Sequence, residues 1–328
     1  MTDLDLTFDE IRLQRLLHGA VVTSPRSAVF EIRGAGSLDC LQGLLTSDLI
    51  KPGPGSVVYG ALLTPKGMIV SDAWILRRRD TITLVLPIEG RAAALDVFQR
   101  TLPPRLAQLE DRTGAVGIAY LLGDQSLPVL LNTDLHAPEN VGRVREPDDN
   151  AGVCVARVTG SYFHAMLLAD VETLAQSIAK ITRADGEIGD QADLDAARIL
   201  AGWPALGAEI DGRTLPQEVR FDQIGGVSYT KGCYVGQETV ARVHFRGHPN
   251  RELRGLRWDQ PAPLLDRNIM SGEKEVGTVR STLALPDRRL GLAPIRREVA
   301  LGDLVMAGGV PATVVPLPFE GLVEDAVS

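Results

Sequence analysis

The apolar residues of this chain change their spacing near residue 247, and that change limits the possible folds more than any other feature. Before it, runs with a period of two, such as AVFEIR at 28–33 and TITLVLP at 81–87, are interleaved with runs of period about 3.6, such as RAAALDVFQRTL at 91–102. After it, no helical period remains. ELRGLRW, EVGTVRS, RLGLAPI, DLVMAG and PATVVPL are short runs separated by Gly and Pro, the pattern of a small β-barrel or sandwich. The first part shows no strict β-α-β alternation, so the expected class is α+β and not a doubly wound parallel sheet. The switch predicts two domains: an α+β region over 1–247 and a small barrel or sandwich over 248–328.

Within the first part, Thr7 is placed to cap a helix with Glu10 three residues on, Leu6 and Ile11 forming a hydrophobic staple and Gly19 the stop. Ser37 is placed to cap a short helix, SLDCLQGLL. SVVYGALL and MIVSDAWIL read as a hairpin joined by Thr64-Pro65-Lys66-Gly67, with Pro and Gly where a type I turn favours them. A strand pair follows over 106–122 and a polar connection over 132–150, then strands GVCVARV and YFHAMLLA and helices at 171–181 and 192–201.

Apolar content of 45% and charged content of 23% are those of an ordinary soluble globular chain. A net charge of −8 opposes bulk attraction to nucleic acid or to an anionic membrane, so direct nucleic-acid binding is not expected without a local basic patch. One stretch has that composition, RVHFRGHPNRELRGLR at 242–257, and it reads most simply as a solvated loop and strand edge. The acidic start MTDLDLTFDE has neither signal-peptide nor transit-peptide order, and no apolar run reaches membrane-span length, so a cytoplasmic protein with reduced thiols is expected. Cys40, Cys154 and Cys233 lie 114 and 79 positions apart without a CxxC, which excludes a one-chain zinc ribbon or four-cysteine cluster; no stably bound metal is expected.

Some motifs dissolve on inspection. RGAGSLDC has a Gly-x-Gly before a helix, but Asp39 stands where the dinucleotide fingerprint needs its third glycine and would repel a pyrophosphate. His244 and His248 are four apart, yet Gly247 and Pro249 oppose a continuous helix through both, so they read as solvated side chains and not zinc ligands. Asp72 in the apolar run GMIVSDAWIL has two readings: a carboxylate solvated at a sheet edge, or one turned toward a ligand carrying N–H donors. KGCYVGQE at 231–238 also has two. Gly232 and a following helix, CYVGQETVARV, would place Cys233 in a first turn, where free amides and Lys231 favour a thiolate; alternatively Cys233 is buried and Lys231 merely solvated.

KGCYVGQE followed by Arg242 resembles the signature of the YgfZ family, folate-binding iron-sulfur cluster assembly and repair proteins related to the glycine-cleavage T-protein. LQGLLTSDL, LLTPKGMIVSDAWIL, RILAGWPALGAEI, LPQE and the tail from RLGLAPIRRE onward are similar to other parts of that family in the same order. The resemblance implies two ferredoxin-like lobes and a C-terminal β-barrel around a central hole that accepts tetrahydrofolate. It implies that Asp72 contacts folate, since it matches the T-protein's catalytic acid, and that Cys233 is the functional cysteine. Lys231, Gly232, Tyr234, Gly236, Gln237, Glu238 and Arg242 match its neighbours, and Lys231, Tyr234, Gln237, Glu238 and Arg242 are expected with Asp72 at the cofactor. Two departures oppose aminomethyl transfer: Leu200 stands where Arg-Leu-Glu-Ala-Gly has its glutamate, and RVTGSYFHAM lacks the acid of the T-protein turn. The implied function is an accessory factor acting with iron-sulfur client or assembly proteins; the alternative is a tetrahydrofolate-dependent aminomethyltransferase. A third reading, a nucleic-acid-modifying or RNA-binding partner, rests on the basic stretch 242–257 and on the fact that folate enzymes can modify tRNA.

Overall fold

The computed structural model describes residues 4–146, 152–158 and 163–319. Its larger sheet has eleven strands in the order Glu187–Ile188, Val21–Thr23, Val116–Leu122, Phe163–Asp170, Cys154–Arg157, Arg143–Arg145, Ser56–Leu63, Ile69–Arg77, Ile82–Pro87, Ser27–Arg33, Gln108–Asp111. The two lobes therefore share one sheet, joined where Ser56 pairs with Arg143. Gln108–Asp111 and Val116–Leu122 are strands, but they lie far apart in that sheet and are not partners of one another.

Alternation along the strands divides the apolar side chains between two faces. Phe30, Ile32, Ala73, Ile75, Leu84 and Leu86 pack outward beneath the helices Ser37–Gln42 and Arg91–Thr101. Ala119, Leu121, Val155, Ala165 and Leu167 pack outward beneath Ser126–Leu131 and Val171–Arg183. On the opposite face Tyr59, Trp74, Leu76, Ile118, Tyr120, Met166 and Leu168 join one cluster with the helix Gln191–Leu200 and with Trp203, Val219 and Phe221. Residues from distant strands meet on this inner face, so the sheet curls around it.

The tail forms the expected barrel. Arg289–Arg296, Arg251–Trp258, Val310–Val315, Leu304–Ala307, Asn268–Ser271 and Lys274–Thr278 pair in turn, and the last pairs back to Arg289–Arg296, closing six strands. Ser281–Ala284 extends this sheet, and Leu4–Thr7 adds to it in parallel. That pairing corrects the first helix. Thr7 is in a strand, Asp9 caps the helix Glu10–His18 by accepting from the Arg12 amide at 2.8 Å, and Ile11 is 81% exposed, so no staple forms. A long-range strand pairing outcompeted a local cap. The hairpin turn at 64–67 is present, with the Gly67 amide donating to the Thr64 carbonyl at 2.9 Å.

Candidate functional site

A cavity of about 860 Å³ opens on the inner face of the curled sheet, a volume suited to a small organic ligand. The chain has 15 aromatic residues (3 Trp, 5 Tyr, 7 Phe), and five of them, Tyr59, Trp74, Tyr120, Phe163 and Trp203, line this space. Trp74 and Trp203 stack at 5.7 Å with planes 20° apart, while Tyr59 and Phe163 meet Trp203 edge-on at 4.8 and 6.0 Å. Such rings present flat apolar walls with few polar demands of their own.

Asp72 stands on this wall. Its strand, Ile69–Arg77, is flanked on both sides by other strands, which overturns solvation at a sheet edge; Asp72 is only 7% exposed. A register shift opposite Leu62 and Leu63 lets Ile69 and Asp72 share a face although they are three residues apart. The Tyr59 hydroxyl donates to Asp72 Oδ2 at 2.9 Å, and Oδ1 is buried without a hydrogen-bond partner. Burial raises the Asp72 carboxyl from 3.8 to about 6, with Glu89 adding to the rise and the Tyr59 hydrogen bond and Arg198 opposing it. Burial, helped by the nearby carboxylate, likewise pushes the Tyr59 and Tyr120 phenols well above their ordinary value. The cavity thus holds one acceptor with spare capacity, suited to a ligand N–H.

Arg198 also lines the cavity, but its guanidinium is committed: Nη1 donates to Glu209 Oε2 at 3.0 Å, Nε to Asp195 Oδ1 at 2.7 Å and Nη2 to Ser281 Oγ at 3.0 Å. Arg26 at the cavity edge is exposed and has no ion-pair or hydrogen-bond partner among the described residues. It is the cation available to a ligand's anionic end.

The KGCYVGQE segment lies elsewhere. None of Lys231, Cys233, Tyr234, Gln237, Glu238 and Arg242 lines the Asp72 cavity. The helix begins at Gln237 and not at Cys233, because Gly236 adopts φ 82° and a Cβ there would meet the Thr64 carbonyl oxygen at 2.6 Å. Cys233 is therefore outside the helix, and the first-turn amides do not serve it. Lys231 does not serve it either: Nζ, buried, donates to the carbonyls of Gln42, Leu45 and Ser47, each at 2.7 Å, which uses all three of its donors. Burial lowers the Lys231 ammonium to about 8. Tyr234 is buried with its ring 5.2 Å from that ammonium, and the Val235 amide donates to the Gly43 carbonyl at 3.0 Å. The loop is pinned on both sides of Cys233, which is itself exposed. Cys154 is buried with its thiol pushed up to about 12, and Cys40 is half-buried.

The model for the GCVT N-terminal domain matches residues 23–140, the part that contains Asp72 and Tyr59. The tRNA-modifying protein YgfZ of Cronobacter sakazakii is 28% identical over 319 residues, covering 89% of this chain and 90% of that one. That of Escherichia coli O6:H1 is 27% identical over 276 residues, covering 79% and 80%. The chain is a relative of the YgfZ proteins. The crystal structure of the glycine cleavage system aminomethyltransferase T from Bartonella henselae superposes with a TM-score of 0.83 at 18% identity, covering 94% of this chain and 88% of that one, which shows the shared fold.

Against the YgfZ resemblance, the two departures from the T-protein fall differently. Leu200 is fully buried in the inner apolar cluster, so no carboxylate is offered there. The turn in RVTGSYFHAM has residues 159–162 outside the described ones, and in the polar connection 132–150 the same holds for 147–150. Sequence reading passed over Tyr59, Trp74, Tyr120, Trp203, Arg26 and Arg198 as site residues. Aromatic scarcity was the signal available for the rings; no local signal marked Arg26. Among the described residues no group of three or more His, Cys, Asp or Glu could hold a metal ion, and no helix is long and apolar enough to cross a membrane.

Proposed function

We propose that this chain is a folate-binding protein of the YgfZ type, linked to tRNA modification as its relatives' name states, with tetrahydrofolate held in the Asp72 cavity. The observation that carries the reading is the unpartnered Asp72 Oδ1 on an aromatic wall. A pterin is a flat heterocycle with N–H groups, and its carboxylate tail asks for a cation. Asp72 would accept from the ring, Trp74, Trp203 and Tyr120 would cover its faces, and Arg26 would meet the tail. Bound tetrahydrofolate supplies a carrier for one-carbon groups; Tyr59 holds the Asp72 carboxylate in place.

The finer reading makes the chain an accessory factor for assembly or repair of iron-sulfur clusters in client proteins, with the exposed Cys233 as the thiol offered to them. Its support is the accessible sulfur on a pinned loop outside the cavity. Aminomethyl transfer, the alternative, is disfavoured by the hydrocarbon at Leu200.

Titration calorimetry with tetrahydrofolate tests the folate reading. Asp72→Ala removes a hydrogen bond to a charged acceptor, about 1.5–3 kcal/mol, so affinity should fall roughly ten- to hundredfold. Equal binding by the wild type and Asp72→Ala, or none by the wild type, would defeat it. Methylene-tetrahydrofolate formed from an aminomethyl donor would instead favour the transferase.

A further inference from the structure

Residues 242–251 carry Arg242, Arg246 and Arg251 with His244 and His248 and no acid between them, in a chain of net charge −8. The structure sorts the longer basic stretch into two kinds. Arg254 pairs with Glu252 at 2.8 Å and Arg257 with Asp259 at 3.1 Å, which places them in the barrel's own charge balance. Arg242 and Arg246, four residues apart on the helix Gln237–Arg246, are exposed, and neither has an ion-pair or hydrogen-bond partner among the described residues.

Between them stands Phe245, 67% exposed. Its ring is not loose. It meets His244 edge-on at 4.8 Å and 85°, and His244 stacks on Tyr229 at 3.6 Å and 15°. Tyr229 is fixed in turn by the Asp222 carboxylate, to which its hydroxyl donates, and by Gln217 Nε2 at 3.2 Å. Of the nearby acids, Asp222 lies 3.8 Å from His244, and Glu238 stands in the first turn of the helix, four residues before Arg242 and eight before Arg246. A single exposed phenylalanine is ordinary on a protein surface. An anchored ring flanked by two uncompensated guanidinium groups is a different arrangement, because it answers both parts of a nucleotide: a base that stacks and a phosphate that pairs with Arg.

We propose that this helix face takes a single-stranded segment of RNA. The choice of RNA as the polyanion rests on the tRNA-linked reading; the ring and the charges are independent of it. An acidic peptide would use the two Arg, but it has no need of Phe245.

Fluorescence anisotropy of a labelled single-stranded oligoribonucleotide, at several salt concentrations, tests the proposal on the full chain. Phe245→Ala should weaken binding about tenfold, in the range measured for loss of one stacked base. Arg242→Gln with Arg246→Gln should weaken it at every sequence and reduce the slope of log affinity against log salt by about 0.7 for each phosphate that is no longer neutralised. All three substitutions are at exposed positions, and tetrahydrofolate binding in the same variants reports whether the fold survives. Wild-type RNA binding with unchanged affinity in both variants overturns the proposal, as does absence of wild-type binding or displacement of the RNA by a polyglutamate peptide at matched charge. If the wild type binds this RNA as described but not tetrahydrofolate, the cavity reading fails and the docking face stands.

Discussion

Replacing Asp72 by Asn should change stability in a pH-dependent way, and the size of the change follows from the burial of the carboxylate. In the folded chain the carboxyl sits at about 6, against 3.8 ordinarily, so the folded state holds its proton over a window in which the unfolded state has released it. The sign follows from linkage: a folded value raised above the unfolded one makes stability greatest below pH 3.8 and progressively lost as pH rises to about 6. The loss is about 1.36 kcal/mol for each pH unit between the two values, hence on the order of 3 kcal/mol above the window. Asp72→Asn has no charge to lose. It carries a fixed offset from its amide, about 1–3 kcal/mol if Nδ2 finds no acceptor, but that offset does not vary with pH. Melting both proteins by calorimetry from pH 4 to pH 8 separates the two contributions. At about 2.1 cal/mol/K per residue, 328 residues give an unfolding entropy near 0.7 kcal/mol/K, so the Tm of Asp72→Asn should gain about 4 °C on the wild type between these limits. A Tm difference that stays constant across the range would refute the reasoning, since it would mean that the carboxylate is solvated in the folded protein.

Two further expectations concern the buried Lys231 ammonium and the three cysteines. Lys231→Met should cost on the order of 3 kcal/mol in urea unfolding, because it strands the Gln42, Leu45 and Ser47 carbonyls that the ammonium satisfies; a loss below about 1 kcal/mol would show that water replaces it. Alkylation followed by mass spectrometry should label Cys233 first, Cys40 more slowly and Cys154 only on unfolding, given their exposed, half-buried and buried positions. Labelling of Cys154 alongside Cys233 under native conditions would contradict the packing of the strand Cys154–Arg157.

Much of the element content was legible because it depends on neighbours in the chain. The hairpin around Thr64–Gly67, the helix Arg91–Thr101 and five of the six barrel strands, all but Asn268–Ser271, follow from alternation, helical period and turn chemistry acting over a few residues. The readings that failed were those in which a distant partner competed with a local signal. Thr7 offers a cap, yet the Ser281–Ala284 strand draws it into a sheet. Residues from Cys233 onward have a helical pattern, yet Gly236 packs against the Thr64 turn and the helix starts after it.

By itself the sequence determined the fold class, a β domain of short strands after residue 250, and the two positions worth asking about, Asp72 and Cys233. Only the tertiary structure decided that they serve separate places: a buried acceptor inside an aromatic cavity, and an exposed thiol on a pinned loop outside it. The reason is the range of the interactions. Periodicity and turn preference act between near neighbours, whereas the curl of an eleven-stranded sheet, which gathers Tyr59, Trp74, Tyr120 and Trp203 around one carboxylate, comes from pairings between strands far apart in the chain, some of them separated by more than eighty positions.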